Sequence, residues 1–218
     1  MTNTVLIIAA HSDDQIIGVG GTAAKYAKEG YEVKTIIFSK GEMTHPHFKE
    51  KIIVDTREKE SLRADNIIGG HGVKFLKILE KDVGDDKEMK KAKKLLKKNI
   101  EKFNPVKIFS HSPEDPHPVH KKVSVAVLEV IDKLDLDAEV YGFDIWNPFK
   151  WDKKKHPKLI VDVTETFHTK MKALKSFKSQ FNLYAFINYV ALIIMYLKNL
   201  YNGVRQHTKY AEVFYRLR

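Results

Sequence analysis

"TVLIIAAHSDDQIIGVGGTAAKYAKEG", residues 4–30, decides the fold. Residues 4–10 form a continuous apolar run, the pattern of a strand buried on both faces. From residue 16 the apolar spacing becomes helical, at Ile17, Ala23, Ala24 and Ala27, and Gly30 stops it. Strand, turn and helix in that order open an α/β unit. The turn between them carries His11, Asp13 and Asp14, and glycines follow at 18, 20 and 21. It could hold a metal, cradle a phosphate or only turn a corner.

The alternation continues along the chain. Strands are expected at 31–39, 73–79, 105–111, 138–146 and 158–164, and helices at 50–68, 85–103 and 121–134. The pattern predicts an α/β domain with a mainly parallel sheet flanked by helices. One domain over 1–218 is expected, with a helical C-terminal segment from about 165 packed on it. The stretch "FNLYAFINYVALIIMYLKNLY" (181–201) reads as a core helix or a contact between copies in a homo-oligomer. A membrane-surface helix would carry a more basic polar face.

Composition narrows the class. Of 218 residues 43% are hydrophobic and 30% charged, which suits a soluble chain with a sizeable core. No uncharged apolar run is long enough for a membrane span. The apolar start lacks a basic leader and a cleavage-like site, so it reads as a strand, and a cytoplasmic location is expected. With no cysteine, disulfides, thiolate metal sites and a cysteine nucleophile are excluded. The net charge of +10 invites a nucleic-acid reading. It is set aside because the lysines are spread along the chain. Their densest run, 85–103, has apolar residues at Met89, Ala92, Leu96, Ile100 and Phe103, the spacing of a solvated helix.

In open α/β sheets ligands bind at the carboxyl ends of strands. The loop after strand one holds His11, Asp13 and Asp14. The loop after strand four holds His111, Glu114, Asp115, His117 and His120. If strands one and four are neighbours, His11, Asp14 and His120 could form a three-ligand nitrogen and oxygen site with an open position for water. Adjacent aspartates point in different directions, so one can ligate while the other serves as general base. His117 could reach toward the substrate and donate to a developing oxyanion or a leaving amine. Each motif alone has a plainer reading, a helix cap or a surface loop.

The rival is a nucleotide site. Gly18 to Ala23 satisfies G-x-G-x-x-A. Two carboxylates in the turn would repel a pyrophosphate, and strand two ends in Phe38–Ser39–Lys40 without the expected acidic residue. The glycines are better explained by close packing of the first helix and by turning of the loop. His45 and His47 could line a pocket mouth but read more simply as a surface loop; His71, His156, His168 and His207 are isolated.

The segment "AAHSDDQIIGVGG" resembles the N-terminal motif A-H-P-D-D-E of the PIG-L/LmbE-like zinc-dependent N-acetylglucosaminyl deacetylases. "SKGE", "TREKESLRADNIIGG", "DPHPVHKKV", "KMKALKSFKSQ" and "YAEVFYRL" resemble later motifs of that family, in order. The resemblance implies a Rossmann-like fold, Zn2+ or another divalent ion such as Fe2+, and hydrolysis of an acetamide on a small amino-sugar substrate. By the same resemblance His11, Asp14 and His120 match the metal ligands, and Asp13 the general base. His117 matches the histidine that stabilises the oxyanion and assists the amine, and Arg57 a position associated with substrate binding.

Three residues depart from the motifs. Ser12 replaces a proline, Gln15 a glutamate, and Val119 the aspartate of H-x-D-H. The last is the most serious, and Asp115 or Glu114 is expected to compensate. With ligands and base intact, an active hydrolase is expected. The alternative is a degenerate homologue that binds metal and sugar without turnover.

Overall fold

The computed structural model describes residues 2–42, 50–134, 136–147, 157–180 and 186–218, with 186–188 described by backbone alone. The first half runs β1 (Thr4–Ala9), α1 (Asp14–Lys28), β2 (Glu32–Ser39), α2 (Glu50–Ile67) and β3 (Val73–Ile78). A short 3-10 turn, Glu80–Asp82, leads into α3 (Asp86–Phe103) and β4 (Lys107–His111). Then come α4 (Pro118–Ile131), β5 (Glu139–Phe143), β6 (Lys158–Asp162), α5 (Phe167–Leu174), α6 (Phe186–Arg205) and β7 (Ala211–Arg216).

The strands form one sheet in the order β3-β2-β1-β4-β5-β7-β6. The first five are parallel, and β7 runs antiparallel to both β5 and β6. Every residue of β1 is buried because both faces are covered. Val5 and Ile7 point into one core cluster with Phe109, Tyr141 and Phe214. Leu6 and Ile8 point into the other, with Leu96 and Ile100 of α3 and Val127 of α4. β1 pairs with β4, Ile8 opposite Ser110, as the sequence reading required. The strand order reverses at β1, so the loops after β1 and β4 flank a crevice at one edge of the sheet.

The glycines of α1 serve close packing. A Cβ at Gly18 would stand 2.4 Å from the Phe143 ring, and one at Gly21 2.9 Å from Val163. They lie inside the helix, so the loop before α1 turns without them. That placement also leaves no free helix N-terminus beside them for a pyrophosphate, against the nucleotide reading.

Two expectations need correction. α4 starts at Pro118 rather than 121, because proline suits the first helical position, and this carries His120 into the first turn. The C-terminal segment is not helical throughout: β7 completes the sheet, with Ala211 and Phe214 fully buried. Its Val, Phe and Tyr content is that of a strand. α6 leaves Ile193, Leu197 and Tyr201 exposed, within the stretch 181–201 that the sequence suggested as a core helix or a contact between copies. Among the described residues no helix is long and apolar enough to cross a membrane.

Candidate metal centre

Asp13 holds the N-cap position of α1, and its carbonyl accepts the amides of Ile16 and Ile17. Its side chain caps nothing, so the plain helix-cap reading fails for the carboxylate. Asp14 Oδ2 accepts the His11 amide at 2.8 Å and lies 3.1 Å from His11 Nδ1. His120 Nε2 lies 3.3 Å from the same oxygen and 3.3 Å from His11 Nδ1. Two imidazole nitrogens and one carboxylate oxygen thus converge on one point, and all three residues can hold a metal together.

His111, Asp115 and His120 form a second group close enough to ligate. His111 is ill suited to it. Its Nε2 accepts the Ala10 amide at 3.0 Å, which ties the ends of β1 and β4 together and uses the lone pair. Burial, then His120, push His111 down to about 4, so it stays neutral. Asp115 is the anchor of its loop. Its Oδ1 accepts the His117 amide at 3.0 Å, and its Oδ2 accepts the Ile145 amide at 2.7 Å. Asp115 Oδ1 also stands 3.1 Å from His120 Nδ1, in ion-pair range though poorly aligned for a hydrogen bond.

A cavity of about 220 Å³ opens over this centre. His11, Asp13, Asp14, Arg57, His117 and His120 all line it, so the structure brings together the three expected ligands, the expected base, His117 and Arg57. Arg57 comes from α2; its Nη1 donates to the Gly41 carbonyl at 2.7 Å, and its Nη2 is 3.6 Å from Asp13 Oδ1. Glu80, from the 3-10 turn, also lines the cavity and had not been singled out. Its only signal was an acidic residue just past the end of a parallel strand. His45, His47 and His156 lie outside the described residues.

The charges explain one another. Burial alone would push Asp14 up, but His120 and His11 outweigh it and hold the carboxyl well below its usual range. Burial opposes charge on His11 too, yet Asp14 and Glu80 raise it to about 9. His120 is raised to about 10 against its burial, by Asp14 and Asp115. The centre therefore draws positive charge in the form of protons, which a divalent ion would displace. The donor set and its charge fit such an ion. Asp13 is raised by burial and by Asp14, with Arg57 partly offsetting them. Burial, then His120 and His11, push His117 down.

Two of the three departures from the family motifs, Val119 and Gln15, turn away from the ligand atoms. Val119 packs against the core cluster of α3 and α4. Gln15 turns to α2, where its Nε2 donates to Ser61 Oγ at 3.0 Å.

Residues 6–131 match the PIG-L family, described as GlcNAc-PI de-N-acetylase. The chain belongs to the PIG-L family. A diacetylchitobiose deacetylase from Thermococcus kodakarensis is 29% identical over 190 residues, 81% of this chain and 70% of the relative. A 4-oxalmesaconate hydratase from Pseudomonas putida is 26% identical over 213 residues, 87% of this chain and 78% of the relative. In fold, the chain matches the N,N'-diacetylchitobiose deacetylase from Pyrococcus horikoshii with a TM-score of 0.81 at 22% identity, over 99% of this chain and 84% of the other. These relatives are enzymes, and PIG-L membership supports an enzyme here.

Proposed function

We propose that this protein removes the N-acetyl group from an N-acetylglucosamine-type sugar or conjugate, using a divalent ion held by His11, Asp14 and His120. The observation that carries this reading is the convergence of those three ligand atoms beside an uncapped Asp13 in an open cavity. Two histidines and one carboxylate with an open side suit Zn2+, and the same set also suits Fe2+. When bound, such an ion lowers the pKa of a water to roughly 7 and polarises a carbonyl.

The chain's own residues would then do the following. Asp13 takes a proton from the attacking water as the new C–O bond forms at the acetyl carbonyl. His117 lines the same cavity and donates an N–H hydrogen bond to the oxyanion. The C–N bond breaks as Asp13 returns its proton to the nitrogen, giving acetate and a free amine. Arg57, beside Asp13, orients the substrate and opposes the upward push that burial and Asp14 exert on the base.

The test is acetate release from N-acetylglucosamine and diacetylchitobiose by metal-loaded protein. Release should vanish on chelation and in Asp13→Ala. No release from any such donor would sink the reading.

The hydratase relative favours one alternative, addition of water to a conjugated double bond of an unsaturated carboxylic acid. It needs the same ion and base, with Arg57 facing the substrate carboxylate. Loss of the substrate's ultraviolet absorbance, without acetate release, would select it.

A further inference from the structure

We propose that Glu80 is a positioning residue that fixes which nitrogen of His11 faces the metal. The inference rests on the metal-dependent reading above. A histidine ligand needs a lone pair on the nitrogen turned to the ion and a proton on the other. In His11 the inward atom is Nδ1, 3.1 Å from Asp14 Oδ2 and 3.3 Å from His120 Nε2. The outward atom, Nε2, lies 3.4 Å from Glu80 Oε1. A carboxylate at that range favours a proton on Nε2 and so the tautomer with a free lone pair on Nδ1. It also makes the imidazole a stronger donor to a cation.

His120 repeats the arrangement with its atoms exchanged. Its Nε2 faces inward, and its Nδ1 stands 3.1 Å from Asp115 Oδ1. Each histidine is thus backed by one carboxylate, from two different segments. Glu80 is itself held: its amide donates to Glu42 Oε1 at 2.8 Å, which sets the turn after β3 against the end of β2. Its side chain lies in neither core cluster, so it can be changed with little effect on the core.

The experiment measures Zn2+ affinity by competition with a chromogenic chelator, and the visible spectrum of the Co2+ form. Wild type is compared with Glu80→Ala and Glu80→Gln. Glu80→Ala should bind Zn2+ roughly 10- to 100-fold more weakly, with an altered Co2+ spectrum. Glu80→Gln should fall between, because its amide oxygen still accepts the Nε2 proton but carries no charge. Melting of the metal-free proteins should coincide, which a merely structural role would not give. If wild type binds and Glu80→Ala matches its affinity within a factor of about two, well below the expected loss, the inference fails alone. If wild type binds no divalent ion, the underlying reading fails, and the inference with it.

Discussion

Lys170 Nζ stands 2.6 Å from Glu212 Oε1, and both side chains are sealed from solvent. The Glu212 carboxylate also accepts the Gly21 amide at 3.1 Å and the Thr22 amide at 2.8 Å. Thr166 Oγ1 donates to the Gly21 carbonyl at 2.8 Å. A buried ion pair between α5 and β7 thereby clamps the middle of α1, the helix whose first turn carries Asp14. Removing one partner leaves the other charge buried, so Lys170→Met should cost about 3–5 kcal/mol in urea unfolding. Adding Glu212→Gln should recover part of that loss, since the amide oxygen still takes an α1 N–H. A double variant as unstable as the single one would mean packing, not charge, sets the cost.

Gly18→Ala and Gly20→Ala should differ. Both gain helix propensity, about 1 kcal/mol. At Gly18 the new methyl meets the Phe143 ring at 2.4–2.9 Å, and a packed ring cannot retreat cheaply. Overpacking of this kind costs about 1–3 kcal/mol, so Gly18→Ala should lower the melting temperature. At Gly20 the nearest atoms are Ile16 Cγ2 at 3.0 Å and Lys170 Cγ at 3.2 Å, which need give way by only a few tenths of an ångström, and the helix propensity gained offsets that shift. Gly20→Ala should be close to neutral. Equal melting of the two variants would contradict this account.

Asp65 offers a pH test away from the metal centre. It is buried, its Oδ2 accepts the Gly72 amide at 3.0 Å, and its Oδ1 has no hydrogen-bond partner among the described residues. Burial pushes its carboxyl up to about 6, against the Gly72 hydrogen bond and His71. The folded state therefore holds this proton more tightly than the unfolded chain. Its contribution is complete below about pH 4 and is lost as pH rises through about 6, a swing of roughly 2–3 kcal/mol. Asp65→Asn should gain on wild type across that window and keep its lead at pH 7. A difference independent of pH would show that Asp65 is not the group responsible.

The parallel half of the fold was legible because β1 is an unbroken apolar run and because short β-rich segments alternate with helical spacing after it. Met89, Ala92, Leu96 and Ile100 are buried as the lysine-rich run implied. β7 was missed because its second residue, Glu212, is a charged group buried near the start of the strand. A buried glutamate makes sense only once Lys170 and two helix amides are seen around it. The candidate metal centre was legible for a different reason: the residues proposed as ligands sit at strand ends, and neighbouring strands bring such loops together. Glu80 was not legible. Its role depends on a 3-10 turn that aims it at His11, and nothing in "LEKD" (79–82) encodes that aim.

The adjacent aspartates should separate when tested one at a time. Asp14 Oδ2 is the common neighbour of His11 and His120, so Asp14→Asn removes the charge that gathers the ligand set. Asp13 faces Arg57 instead. A ligand present at 100 times its Kd stabilises the folded state by about 2.7 kcal/mol. Wild type and Asp13→Asn should both gain about that much from Zn2+, and Asp14→Asn should gain none. Turnover should drop in both variants. For Asp13→Asn the loss should be about 10²–10⁴-fold at full metal occupancy, the usual effect of removing a general base. If Asp13→Asn also loses the stabilisation by Zn2+, then Asp13 is a ligand, and the division of labour between the two carboxylates is wrong.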